Sequence, residues 1–240
     1  MTIPLIYWNL FDSSQLPDNI AWLSEEELQQ LQSFRFEKRR KDWLQGRWTA
    51  KRLIQSLFAK GDDLSSGQIC IKNETSGAPY AMIKGEKMKA SLSISHRGNL
   101  ASTAICTDPD ITIGIDLEEI ENKSQGFIED YFTTPESEYV FALPQKQQAW
   151  AASLLWSGRE AILKALQTGL RYDTREIAIH CPSFIYKDEW EAIEIIKSPE
   201  KQDSTRLFWR KLENYLITLA VISKNEQFEI LPENILAVEG

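Results

Sequence analysis

Two acidic segments carry the residue types that could do chemistry. In Thr112–Ile120, TIGIDLEEI, the apolar Ile113, Ile115 and Leu117 alternate with Gly114, Asp116 and Glu118. That period predicts a half-buried strand with both acids on its second face. Neighbouring carboxylates repel each other and are costly to bury, so the pair needs a reason. In Trp156–Leu166, WSGREAILKAL, Trp156, Glu160 and Lys164 are spaced by four and share one face of a helix. Ile162, Leu163 and Leu166 supply apolar positions elsewhere on it. If this helix packs on that strand, three carboxylates converge. They cannot all stay ionised together without a cation, and a hard divalent ion with oxygen ligands, most naturally Mg2+, resolves the repulsion. Mg2+ takes few protein carboxylates and commonly bridges phosphates, and Lys164 is placed to meet a phosphate oxygen. The plainer reading keeps these charges solvated, with Glu160 and Lys164 as a surface pair and Asp116 to Glu119 at an exposed strand end.

The elements that must position these residues are legible in outline. IPLIYWNL, residues 3–10, reads as a first strand. LSEEELQQLQSF opens a helix at Ser24 with acids in its first turn. The second part of 34–60 is helical, and strand and turn signals follow through 67–107. Helical stretches run through GFIEDYFTTPESEYVFAL and KQQAWAASLLWSGREAILKAL, the latter ended by Gly169. REIAIHC, RLFWRKL and NYLITLAVI read as later strands. Helices and strands recur in similar order in both halves without a strict repeat. The expectation is α+β, with subdomains at 1–110 and 111–240 and CTDPDIT as the linker.

Composition bounds the function. The chain has 240 residues and a net charge of -8, which argues against a general nucleic-acid binder. No apolar run approaches a membrane span, and the first residues lack a signal-peptide pattern. Cys70, Cys106 and Cys181 show no metal or redox spacing and read as reduced hydrophobes of a cytoplasmic protein. Against the overall charge, residues 35–52 hold eight basic residues and two acidic ones, a local +6 that could attract a phosphate or an acidic protein.

Together the segments resemble the paired signature of 4'-phosphopantetheinyl transferases of the surfactin type. That signature is G-[IV]-D-x-E followed by [FW]-[SCT]-x-[KR]-E-[SA]-x-x-K, here Gly114 to Glu118 and Trp156 to Lys164. SISH, Ser93 to His96, resembles an upstream family element, as do the turn GAP, Gly77 to Pro79, and the pair Gly46 and Arg47. The elements come in the family's order over about residues 34–170.

The resemblance implies two similar α+β halves related by a pseudo-twofold axis, with coenzyme A between them. The implied reaction moves the phosphopantetheine arm of coenzyme A to a serine of an acyl or peptidyl carrier protein and releases 3',5'-ADP. Asp116, Glu118 and Glu160 would hold Mg2+ on the pyrophosphate. Glu160, or a water held by it, would accept the serine proton. Lys164 would balance charge on the leaving phosphate, while Ser95, His96 and Arg47 would contact the nucleotide part, with His96 at the 3'-phosphate. Family analogy implies a monomer, while charge and hydropathy speak against nucleic acid and membrane as partners. Two departures stand out: Ala78 occupies the family's lysine position, and Ser93 the position of an asparagine. They leave open a transferase-fold protein that binds carrier or nucleotide without transfer.

Overall fold

The computed structural model describes residues 3–59, 64–168, 171–181, 188–199, 204–225 and 228–238. Gly169 lies outside them. The first half contains β1 (Ile6–Asp12), α1 (Glu25–Gln32), α2 (Glu37–Phe58), β2 (Ile69–Asn73), β3 (Pro79–Ile83), β4 (Glu86–Lys87), β5 (Ser91–Arg97) and β6 (Leu100–Cys106). The second contains β7 (Ile111–Glu119), α3 (Gln125–Tyr131), α4 (Thr134–Ala142), α5 (Gln145–Ala165), β8 (Ala178–Ile179), β9 (Glu191–Ile193), β10 (Ile195–Lys197), β11 (Thr205–Leu212), β12 (Tyr215–Ser223) and β13 (Ile235–Ala237). This is an α+β fold.

The halves share a plan. One sheet runs β13-β1-β6-β5 and the other β7-β12-β11-β9. β1 pairs antiparallel with β6 as β7 does with β12, and a long helix packs behind each pair. β13 then returns to pair parallel with β1, so the end of the second half joins the first sheet.

The same local logic builds both. Ser24 and Thr133 open α1 and α4 with capping boxes whose third residues are Glu27 and Glu136. Each glutamate also accepts a strand amide, from Ile71 and Ile179, and pairs with a buried cation of the long helix, Lys51 or Arg159. Lys51 is therefore core, where the run of basic residues at 35–52 had suggested a shared surface.

The two sheets meet through one apolar cluster. Ile6, Trp8, Ala104 and Cys106 enter it from the first sheet, and Ile113, Ile115, Leu117, Ile217 and Leu219 from the second. β7 is consequently buried on both faces, not half-buried as its alternation predicted. Its other face carries Gly114, Asp116 and Glu118 and lies under α5. A Cβ at Gly114 would stand 2.0 Å from the Ala161 carbonyl oxygen and 2.5 Å from the Ala165 amide nitrogen, so glycine there sets how closely helix and strand approach.

A ladder of serines joins the halves. The hydroxyls of Ser91, Ser93 and Ser95, alternate residues of β5, accept the β7 amides of Ile113, Ile115 and Leu117 at 3.0, 2.9 and 3.1 Å. They satisfy an edge that would otherwise carry unpaired donors. Ser93 thus closes the seam between the sheets.

Candidate active site

Strand β7 and helix α5 bring the expected acids into one cleft. A cavity of about 390 Å3 is lined by Asp116, Glu118, Glu160, Lys164, His96 and Arg97, with Trp156 beside them. Trp156 is braced edge-on by Phe127 and Tyr131, at 4.9 and 5.2 Å between ring centres.

Each acid has different surroundings. Both oxygens of Asp116 are engaged. Its Oδ1 accepts from Lys164 at 2.7 Å and from the Ser95 hydroxyl at 3.0 Å, and its Oδ2 from the Ser157 hydroxyl at 2.8 Å. Ser157 is tied in turn to Thr218 on β12, and both are wholly buried. Glu118 leans on two cations more loosely, Lys123 at 3.5 Å and Arg97 at 3.7 Å, which it shares with the more exposed Glu121. The Glu160 side chain has no hydrogen bond or ion pair among the described residues.

The electrostatics follow from this crowding. Burial raises the pKa of Glu118, Asp116 raises it further, and Lys123 and Arg97 oppose the rise. Burial also raises Glu160, where Lys164 opposes and Asp116 and Glu118 add to the shift. Burial is thus the main cause at both glutamates, with repulsion from the neighbouring acids adding to it.

That donor set, being carboxylate oxygens, is of the kind that suits a hard divalent ion. Among the described residues, no three acidic, histidine or cysteine side chains are gathered tightly enough to enclose a metal by themselves.

The remaining expected residues line the same cleft or its extension. His96 stands in the acidic cavity and also in a neighbouring one of about 480 Å3, with Arg39, Arg47, Trp43, Asn73 and Gln30. Its side chain reaches solvent, yet the cleft walls lower its pKa by desolvation. Asp42 and, more weakly, Asp116 oppose that shift, while Lys164 and, least of all, Arg47 reinforce it. Arg47 is buried against the Trp43 ring, 4.7 Å from its centre, and donates to Asn73 at 2.9 Å. Burial lowers its pKa to about 10, partly offset by Glu27, so it stays charged at neutral pH. Ser95 faces inward, bound to Asp116, Lys164 and the Leu117 amide. Ala78 lines a third cavity of about 260 Å3, which Lys164 borders from the opposite side of the helix–strand junction.

Sequence reasoning missed Ser157 and Thr218 behind Asp116, and Arg97 and Lys123 beside Glu118. A signal existed for Thr218, the lone polar residue in the apolar run LITLAV. The alternation of Ser91, Ser93 and Ser95 likewise marked one face of a strand. Arg97 and Lys123 carried none, because their roles depend on a strand end and a loop meeting in space.

A two-half α+β fold with an acidic cleft beside its seam defines the class. The model of the 4'-phosphopantetheinyl transferase superfamily matches residues 112–220. The 4'-phosphopantetheinyl transferase HetI of Nostoc sp. is 30% identical over 172 residues, covering 69% of this chain and 69% of that protein. A holo-acyl-carrier-protein synthase of Staphylococcus carnosus is 33% identical over 93 residues, covering 38% of this chain and 76% of that protein. A solved holo-acyl-carrier-protein synthase of Thermotoga maritima aligns with a TM-score of 0.37 and 17% identity, over 47% of this chain and 63% of that one. The chain belongs to the 4'-phosphopantetheinyl transferase family and is an enzyme of that kind.

Proposed function

We propose that the protein is a surfactin-type 4'-phosphopantetheinyl transferase that moves the phosphopantetheine arm of coenzyme A to a serine of an apo acyl or peptidyl carrier protein. The observation that carries this reading is the cleft itself: Asp116, Glu118 and Glu160 face one another beside Lys164, and Glu160 is left without a partner among the described residues. The halves 1–110 and 111–240 supply different parts, the nucleotide end from the first and the acids from the second.

Mg2+ held by Asp116, Glu118 and Glu160 would neutralise the oxygens of the donor pyrophosphate. The chain's own residues do the rest. Glu160, unpartnered and with its pKa raised, is the acid suited to take the serine proton, directly or through a water. The serine oxygen then bonds to the phosphorus that bears the pantetheine arm, and the bond from that phosphorus to the bridging oxygen breaks. The electron pair leaves with 3',5'-ADP. Lys164 offsets charge on the departing phosphate. Arg47 and His96 line the extension that suits the nucleotide, and Ser95 keeps Asp116 and Lys164 in register. The enzyme acts as a cytoplasmic monomer with no nucleic-acid or membrane partner. No helix among the described residues is long and apolar enough to cross a membrane.

Intact-mass measurement on a panel of apo carrier proteins, with coenzyme A and Mg2+, tests the reading. A gain of one phosphopantetheine arm on a carrier supports it. Binding of carrier and coenzyme A without any gain would instead favour a transferase-fold protein that does not transfer.

A further inference from the structure

The contacts of Lys164 point to a role beyond steadying the leaving phosphate. Its ammonium has three N–H donors, and each has an acceptor: Asp116 Oδ1 at 2.7 Å, Ser95 Oγ at 3.0 Å and the Ile115 carbonyl at 3.1 Å. Asp116 Oδ1 also accepts the Ser95 hydroxyl, so both lone pairs of that oxygen are used. Oδ2 is turned inward by Ser157, which Thr218 holds from behind. A divalent ion and the ammonium cannot share Oδ1. Glu160 presents no such competition, and Glu118 meets its cations only at 3.5 Å and beyond.

Lys164 also has somewhere to go. Its side chain is 27% exposed, and it borders both the acidic cavity and the neighbouring cavity of about 260 Å3 lined by Ser76, Gly77, Ala78 and Pro79. A four-carbon stem lets the ammonium leave Asp116 for an anion in that second space without moving α5.

Resting on the transferase reading above, we infer that Lys164 is a placeholder cation on Asp116, and that it couples metal entry to donor entry. The ammonium holds the position that the metal needs. A donor phosphate draws it off, and Asp116 is then released to the metal. By linkage the effect is reciprocal, so bound metal frees Lys164 for the donor and strengthens donor binding by the same factor. The two ligands load together, which keeps the acids from capturing a metal unproductively.

The test is Mn2+ binding to the full chain by calorimetry and by the electron paramagnetic resonance of free Mn2+, with and without coenzyme A. Lys164→Met should bind Mn2+ alone about tenfold more tightly than wild type, the ordinary scale of site-to-site coupling. The factor by which coenzyme A strengthens Mn2+ binding should fall toward one. Lys164→Arg, which keeps the charge, should stay near wild type. Lys164→Gln repeats the measurement should methionine unfold the chain. If Mn2+ binds through Asp116, being lost in Asp116→Asn, yet neither neutral variant binds it more tightly, the placeholder role is overturned and the metal site stands. If wild type takes up no Mn2+ with or without coenzyme A, both readings fall.

Discussion

The two halves of this molecule share one strand–helix plan and differ in the residues that line it. Counting from the equivalent cations Lys51 and Arg159, Trp48 matches Trp156, Thr49 matches Ser157, Arg52 matches Glu160 and Ser56 matches Lys164. On the strands, Asn9 lies opposite Thr103 as Asp116 lies opposite Thr218. Phe11 then matches Glu118, and Tyr7 matches Gly114. Asn9 donates to the Thr49 carbonyl at 3.0 Å, where Asp116 accepts from Ser157. Phe11 meets Trp48 edge-on at 6.2 Å, filling the place that Glu118 leaves to the cleft. Arg52 lies over the Trp48 ring at 5.8 Å, where Glu160 stays free of partners among the described residues. The fold alone therefore does not make a site. One half uses the strand–helix junction as core, and the other spends the same junction on charge.

The sharpest break of this comparison gives the active half the residue of the silent one. Asp116→Asn keeps the size of the side chain and removes the charge that Lys164 and the acids are arranged around. Transfer should fall by about a thousandfold or more, within the range expected when charge stabilisation of a phosphoryl transfer is lost. The fold should persist. Turnover within tenfold of wild type at saturating Mg2+, read by carrier mass, would mean that the acid cluster is not the site.

Gly114→Ala tests why the active half can be so close-packed. The added methyl meets backbone at 2.0 and 2.5 Å, and backbone cannot turn aside. A loss of stability of about 3 kcal/mol is expected, at the upper end of overpacking, together with reduced transfer as Glu160 moves away from Asp116. An unchanged melting temperature would show that α5 can yield there.

The reverse exchange, Asn9→Asp, puts a carboxylate in the silent half with serine where the active half has Lys164. An uncompensated buried charge costs about 3–5 kcal/mol. Adding Ser56→Lys should recover part of that loss, because it rebuilds the pair seen between Asp116 and Lys164 at 2.7 Å. A double-mutant cycle in denaturant measures the coupling, and additive effects would argue against the proposed equivalence of Ser56 and Lys164.

A smaller effect should appear in the pH dependence of the chelator-treated protein. The folded-state pKa of Glu160 is raised, so the native chain holds a proton that the unfolded chain has released. Its contribution to stability is then present below about pH 4.5 and is lost as pH rises through the folded value. The groups facing it are Asp116 and Glu118 on β7 and Lys164 one turn along its own helix. Glu160→Gln mimics the protonated acid. Its melting temperature should match wild type near pH 4 and exceed it near pH 8, and added Mg2+ should close the gap. A gap that is constant across pH would rule out repulsion among the acids as its cause.

The least effect concerns the donor. Ala78 borders the same cavity as Lys164, at the position where the resembling family carries lysine. Ala78→Lys should raise the preference for coenzyme A over its 3'-dephospho form about tenfold, the worth of one charge-assisted contact. The ratio of kcat/KM for the two donors reads it. Strong discrimination in wild type with no change in the variant would assign recognition to His96 and Arg47 alone.

Much of this was legible in order and spacing. The four-residue interval of Trp156, Glu160 and Lys164 dictates one helical face, and the two-residue interval of Asp116 and Glu118 dictates one strand face, because backbone geometry fixes both periods. The capping box at Ser24 is local, four residues long, and legible as a helix start; the box at Thr133 is as local but was not marked. α3 and α4 lie within a stretch predicted helical, although the break at Phe132 and Thr133 was not marked.

Local periods could not say which neighbour a face would meet. Alternation predicted a half-buried β7, and it is buried twice over because a second sheet and α5 close on its two sides. A basic run predicted one positive surface, and tertiary contacts divided it between the core, with Lys51 on Glu27, and the cleft, with Arg47 on Trp43. Sequence by itself determined which side chains share a face and that two acids would need a cation. The assembled fold decided that Ser95 would face Asp116, that Lys164 would hold Asp116, and that Glu160 would be left free of partners among the described residues. Those outcomes depend on distances between segments 21 to 48 residues apart, which burial and close packing set and no local period encodes.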